Sequence, residues 1–372
     1  DELPDNMLTW IQPMNFFSQK LLRSAIIIAL TWLAGCTGMD QYMPADAPVL
    51  TAEQEIKIGS TIEDRLLQLL GGPRHDKVLL EELDALLRQT TGDTGRLTVS
   101  VADRNVAALY VLPGGRVVMT RGLLAEMRDL DQFKSLLESA AALTDTAYSD
   151  RANRATNKAV AEILSLQESV YDPASGSIRL ARIFAERPCQ DSCLTNLLQA
   201  GVGRSGELPE AIRMLKALQP AYQLLAEARR LEKAEDTSQA ITRYLDAAIM
   251  APDEPQILGS LGMAYLRAGE LQTARLNLQK AVRLQPDYYR TRMGLGYLYL
   301  QQGKVSQAND ELAESVRLLP VTENLFLLAE AREKGGDVEG GLSLYRLIVD
   351  KDPHSTLGRT AARRLAHAKG VQ

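Results

Sequence analysis

The sequence predicts two folded parts in tandem: an α+β domain, mainly helical with a small antiparallel sheet, at residues 50–200, then an all-α repeat solenoid at residues 201–372. Three observations carry this. Pro252, Pro286 and Pro320 stand 34 residues apart and Pro353 follows 33 later, a period typical of stacked helical units. Upstream, three runs rich in β-branched and aromatic residues (RLTVSVA, AALYVL, RVVMT) are separated by ADRN and PGG, which carry turn chemistry. Elsewhere Ala and Leu are abundant and aromatics make up only 5% of the 372 residues, which favours helical packing.

The N-terminal segment comes first. From Met14, Lys20 and Arg23 precede the apolar run SAIIIALTWLAG, which ends at Cys36. A basic start, a short apolar run and small residues at its end describe a secretory signal. The run is about half the roughly 20 residues that a membrane-spanning helix needs. Residues 1–13 read as sequence ahead of the true start. Leu33-Ala34-Gly35-Cys36 resembles a bacterial lipobox, which implies cleavage before Cys36, lipidation of its thiol and, with Thr37 next, the periplasmic face of the outer membrane. Loss of residues 1–35 changes the formal charge from −5 to −4, so anchoring falls to the acyl chains rather than to basic residues. The same charge argues against a nucleic-acid partner.

Residues 37–49 (TGMDQYMPADAPV) read as a tether. TAEQEIKIGSTIEDRLLQLL then forms a helix that Thr51 can cap, with Gln54 at the capping-box position, and Gly71-Gly72-Pro73 ends it. A second helix occupies roughly 76–90 and the three strands follow. Asp129 or Asp131 starts a helix whose Phe133, Leu136, Leu137, Ala140 and Leu143 keep helical spacing, and residues 150–170 are helical again.

From residue 221 the pattern resembles the tetratricopeptide repeat. One unit carries Leu261, Gly262, Tyr265, Ala274, Leu278, Ala281 and Pro286; the next carries Leu295, Gly296, Tyr299, Ala308, Leu312, Ser315 and Pro320. Gly262 and Gly296 let paired helices approach, and each Pro ends a unit. Weaker units flank them at 221–254 and 322–354, STLGRTAARRLAHAK reads as a capping helix, and GELPEAIRMLKALQP as a degenerate helical pair ahead of the array. In the repeat pattern the inner helix of each unit lines a concave groove. That places Gln256, Met263, Arg267, Arg290, Met293, Tyr297 and Gln301 on a partner-binding surface, with Arg, Tyr and Met of the kinds enriched at interfaces.

The upstream region is similar to the HtpX-type and BepA-like zinc metallopeptidases, some of which carry C-terminal tetratricopeptide repeats. The matching residues are EQEIKIG (Glu53–Gly59), ALYVLPGGRVVMTRGLL (Ala108–Leu124), DLDQFKSLL and the later Tyr171-Asp172-Pro173. The resemblance implies a helix bearing HExxH, whose two His bind zinc while the Glu acts as general base. Here the first His falls on Ser139, the Glu on Ala140 and the second His on Leu143, while the expected Glu and Asp of the later helix fall near Ala155 and Ala159. No His occurs between His75 and His354, so no change of frame restores the motif. The expectation is a pseudopeptidase without zinc, catalytic residues or cofactor. A carboxylate site from Glu138, Asp145 and Asp150, or a Ser139–Lys dyad, has no supporting pattern. Ala140, Ala141, Ala142 and Leu143 suit apolar closure of the old cleft, because unpaired buried ligands cost roughly 1–3 kcal/mol each.

The periplasmic placement that the lipobox implies favours a disulfide between Cys189 and Cys193 in RPCQDSC, with two reduced buried thiols as the alternative. The function expected is a non-enzymatic, lipid-anchored scaffold or adaptor that binds protein partners through the repeat groove, in envelope or outer-membrane assembly. The relatives imply that an extended client can also lie along their edge strand. An active metallopeptidase and a pilotin-like lipoprotein for pilus or polysaccharide secretion are the competing readings.

Overall fold

A computed structural model describes residues 52–91, 97–138 and 208–370. Cys36, the tether, Ser139, Ala140, Leu143, residues 150–170, Cys189 and Cys193 lie outside these residues, as does the Thr51 cap.

Helix α1 (Ala52–Leu69) and helix α2 (Lys77–Thr91) precede strands β1 (Thr98–Ala102), β2 (Leu109–Leu112) and β3 (Arg116–Thr120). A short α3 (Arg121–Glu126) follows β3 directly, because the Thr120 hydroxyl caps it by accepting from the Leu123 N–H at 3.2 Å. Residues 130–138 are helical, and Asp129 is the residue that starts them: its carboxylate accepts from the Gln132 N–H at 2.8 Å.

The sheet differs from the antiparallel one expected. Its order is β1-β3-β2, with β2 antiparallel and β1 parallel to β3. Pro113, Gly114 and Gly115 make the β2–β3 turn. The segment after β1 does not turn back beside it; residues 103–108 step across the end of β3. Thr120 and Gly122 hold that crossover. The Thr120 N–H donates to the Ala108 carbonyl at 3.0 Å, its hydroxyl donates to the Val106 carbonyl at 2.8 Å, and the Gly122 N–H donates to the Arg104 carbonyl at 2.9 Å. Reading ADRN as a hairpin turn misses this, because the anchoring groups sit 12 to 18 residues downstream.

Helices cover both faces of the sheet. Ile58, Ile62 and Leu66 of α1 pack on Ala102, Tyr110, Leu112 and Val118. Leu79, Leu83 and Leu87 of α2, with Leu123, Leu124, Phe133, Leu136 and Leu137, pack on Val101, Leu109, Val117 and Met119. Two covered faces explain why RVVMT is apolar continuously rather than at alternate positions. Helix α4 (Glu210–Ala217), the first part of the degenerate pair, buries Ala211, Ile212 and Leu215 in this same core. It thus packs with the α/β part, and the stacked hairpins begin after it.

Those hairpins are α5 (Gln219–Lys233) with α6 (Thr237–Met250), α7 (Pro255–Arg267) with α8 (Leu271–Leu284), α9 (Tyr289–Gln301) with α10 (Val305–Leu318), and α11 (Thr322–Lys334) with α12 (Val338–Lys351). The capping helix is α13 (Thr356–Gly370). Small residues set the close approaches as the sequence requires: a Cβ on Gly262 would stand 2.7 Å from Leu278 Cγ, and one on Gly296 2.6 Å from Leu312 Cγ. Within each hairpin the turn needs a left-handed residue. Gly269, Gly303 and Gly336 supply it at φ 80°, 71° and 89°, whereas Glu235 fills the equivalent place at φ 63°. All described residues belong to one compact unit.

Candidate functional site

The α/β part seats on the loops that join successive hairpins; of the residues that make this seam, the sequence singled out Gly71, Gly72 and Pro73 as a helix end and Gln256 as a partner-binding residue, and gave the rest no role. Gly71 and Gly72, at φ 104° and 91°, turn the chain sharply after α1. A side chain fits at neither: a Cβ on Gly71 would meet the Asp103 carbonyl oxygen at 2.6 Å, and one on Gly72 the Gln285 amide nitrogen at 2.6 Å. The turn then pairs with the outer edge of β1, through a Pro73–Ala102 bridge and the Arg74 N–H on the Val101 carbonyl at 2.8 Å. On its other side the turn bonds the solenoid. The Gln285 side chain donates to the Pro73 carbonyl at 2.7 Å, and that of Gln256 donates to the Gly71 carbonyl. Gln68 of α1 accepts from the Tyr289 N–H at 3.0 Å, one of the N-terminal donors that a helix leaves unpaired. Arg65 donates to the Arg317 carbonyl at 2.9 Å, and His75 meets Asp287 at 2.6 Å.

At the centre of the seam two cations and two anions are buried together. Arg74 donates to both Glu254 oxygens at 3.0 and 2.9 Å and reaches Asp103 at 3.3 Å. Arg121 and Asp103, with side chains 0% and 1% exposed, pair at 3.0 Å, and Arg121 also donates to Asn105 at 2.9 Å. The Arg121 guanidinium lies 3.2 Å from the centroid of the Tyr222 ring, which suits its delocalised planar charge. The Tyr222 hydroxyl donates to Glu254 at 2.5 Å and to Asp103 at 3.2 Å. Burial, then the Asp103 and Glu254 charges, push the Tyr222 hydroxyl well above its ordinary range, so it stays a neutral donor. Burial pushes the Glu254 carboxyl up, but the hydrogen bonds and charge of Arg74, with the Tyr222 hydroxyl, outweigh it and hold the group below its ordinary value. The charges balance, and each ion has a partner of opposite sign, as burial demands.

The predicted partner-binding residues divide between this seam and the inner helices beyond it. Gln256, in the first turn of α7, is buried and is committed to Gly71 and to Arg229, which donates to it at 3.0 Å. Arg290, in the first turn of α9, is exposed and bonds the neighbouring Tyr289 hydroxyl at 2.9 Å. The remaining residues lie further along the inner helices. Met263, Met293 and Tyr297 are half-buried, while Arg267 and Gln301 are exposed. Inner helices touch across hairpins, α7 with α9 and α9 with α11, so these side chains share one surface. A Cβ on Gly294 would press on Met263, which places the two helices in direct contact there. Arg267 pairs with Glu232 of the preceding inner helix. Arg229 and Lys233, exposed on that helix, extend the basic character of the face.

Among the described residues no group of three or more His, Cys, Asp or Glu could hold a metal ion. Also among them, no helix is long and apolar enough to cross a membrane.

Residues 225–289, 260–321 and 293–356 match the tetratricopeptide repeat family. No curated protein matches the chain. Several solved structures resemble part of it. MamA from Desulfovibrio magneticus RS-1 is 19% identical, with a TM-score of 0.34 over 41% of this chain and 94% of that one. The Sgt2 tetratricopeptide domain from Aspergillus fumigatus is 19% identical, at 0.31 over 32% and 82%. YrrB, a tetratricopeptide protein with an unusual peptide-binding site, is 19% identical, at 0.35 over 40% and 78%. From residue 225 to residue 356 the chain is an array of tetratricopeptide repeats.

Proposed function

We propose that this protein is a non-catalytic scaffold that holds a protein partner on the concave face of its repeats. The single observation that carries this is the shared surface of Met263, Arg267, Met293, Tyr297 and Gln301, which combines apolar anchors with exposed polar groups. The α/β part acts as a fixed buttress along the rim of the repeats. In this reading it has no peptidase activity, because His and Glu are missing at Ser139, Ala140 and Leu143. A lipid on Cys36 tethers the scaffold to the periplasmic face of the outer membrane, where it serves envelope assembly.

Site-specific photo-crosslinking in cells tests the binding face. A crosslinker at Tyr297 should capture a defined partner that one at the exposed Ile249, on the outer helix α6, does not. Met263→Glu with Met293→Glu should abolish that adduct while the circular dichroism spectrum stays unchanged. Equal capture from both positions refutes the binding face. Stoichiometric zinc in the purified protein, with chelator-sensitive cleavage of casein, refutes the non-catalytic reading. Persistence of Cys36→Ser in the membrane fraction refutes the tether.

A further inference from the structure

A second binding site lies away from the concave face, where β1 is an outer strand of the sheet. The Thr98 N–H donates to the Gly115 carbonyl at 2.9 Å, so Thr98, Ser100 and Ala102 turn their main-chain groups toward β3. Strand alternation then directs the Val99 N–H and carbonyl outward. The turn at residues 72–74 covers this outer edge only near Val101 and Ala102, after which the chain leaves to begin α2. Among the described residues no segment pairs with β1 at Thr98–Ser100. The vacated line opens into a cleft of about 740 Å³, of the size that small ligands and short peptides fill.

The walls of the cleft specify its occupant. A strand laid beside β1 would lie between α1 on one face of the sheet and α2 on the other. The α1 face offers Thr61, Asp64 and Gln68 at helical spacing, and Asp64 has no ion-pair or hydrogen-bond partner among the described residues. Partial burial and the neighbouring Glu63 raise the Asp64 carboxyl, against the opposing charges of Arg65, Arg116 and Arg317, of which Arg65 and Arg317 also line the cleft. The α2 face offers the apolar Leu80, Leu97 and Val99, with Asp84 of α2 beside them. The chain itself already shows that this edge accepts an antiparallel partner, because residues 72–74 occupy its other half.

We propose that the outer edge of β1 at Val99 binds an extended segment of a partner polypeptide whose side chains alternate between basic and apolar. The segment continues the line of residues 72–74. Its basic side chains face Asp64 and its apolar side chains face Leu80 and Val99. This is β-strand addition, in which main-chain bonds give affinity and alternate pockets give selectivity. The site is separate from the concave face and stands or falls independently of the scaffold reading.

The probe is a blocked nonapeptide alternating Val and Lys, with a Val/Glu peptide as control, titrated by fluorescence anisotropy against the full chain. The Val/Lys peptide should bind, should protect the Val99 amide from hydrogen exchange, and should outcompete Val/Glu. Val99→Pro removes only an outward N–H, which an outer strand tolerates, and should abolish binding. Asp64→Lys, on the α1 wall of the cleft, should weaken Val/Lys by about tenfold or more and favour Val/Glu. Arg267→Glu on the concave face should change neither. The proposal is overturned if both edge variants bind like wild type, if Arg267→Glu abolishes binding, or if the Val99 amide is already protected in the free chain.

Discussion

Breaking the Arg74–Glu254 pair gives the sharpest test of how the two parts of this chain are joined. Both side chains are nearly enclosed, at 13% and 9% exposure, and share two hydrogen bonds of 3.0 and 2.9 Å. Glu254→Met leaves the Arg74 guanidinium with Asp103 alone, at 3.3 Å. Removing one partner of a buried pair costs about 3–5 kcal/mol, and the remaining Asp103 contact places the loss at about 3 kcal/mol. Arg74→Met strands Glu254 with only the Tyr222 hydroxyl and should cost about the same. The double substitution removes one charge of each sign and leaves Arg121 and Asp103 still matched. It should lie within about 1 kcal/mol of wild type, because apolar replacement of a whole buried pair is often nearly neutral. Urea melts at pH 7 followed by circular dichroism measure the three values. Hydrogen exchange on the same proteins should show α1 and α7 losing protection together. If each single variant costs less than about 1 kcal/mol, or if the double variant costs the sum, the seam is not a buried, mutually dependent joint.

The same cluster sets two pH limits. The depressed Glu254 carboxyl contributes stability that is present above its ordinary value of 4.5 and lost as pH falls through the lower value it takes when folded; Glu254→Met should flatten that acid limb of the stability profile. The raised Tyr222 hydroxyl works in the other direction, with stability present below its ordinary value of 10.0 and lost as pH rises above it, so the difference between wild type and Tyr222→Phe should shrink at alkaline pH. Glu235→Gly should stabilise the first hairpin by about 0.5–1 kcal/mol, since a left-handed residue costs roughly 1–2 kcal/mol and glycine returns part of that as entropy; a loss in thermal melts would show that the turn is unstrained. Gly262→Ala forces a Cβ onto Leu278 and should cost about 1–3 kcal/mol, whereas Gly294→Ala meets chiefly the flexible end of Met263, with Leu278 Cδ2 at 3.3 Å, and should cost less. Equal costs would mean that helix spacing is not set at Gly262.

What the sequence revealed depends on how local each cause is. The hairpins from α5 to α12 were legible because every requirement recurs within one unit: Gly262 against Leu278, Gly296 against Leu312, Pro at the unit boundary. The extents of α1 and α2 were legible from apolar spacing and from Gly71-Gly72. The sheet order was not, because what carries residues 103–108 across β3 is the backbone and hydroxyl of Thr120 and the backbone of Gly122, and no pattern within β1 or β2 reports it. The place of α4 was missed for a similar reason. Its Ala211, Ile212 and Leu215 fit the helical period of a repeat equally well as that of a helix capping the sheet.

The buried seam is harder still, since Arg74 and Glu254 are 180 residues apart and Asp103 and Tyr222 are 119 apart. Sequence offered only indirect signs: two glycines before a proline, and an arginine directly after a buried strand. The periodic reading of Gln256 shows the limit from the other side. Period locates a residue on the inner face of a helix but not what else covers that face. Helix α7 has 13 residues, about 20 Å of length, and its first turn is occupied by the α/β part through Gln256. A ligand on the concave face therefore has roughly the last 14 Å of α7 available, a stretch that includes Met263 and Arg267. The buttress sets where a partner must stop as well as holding the repeats in place.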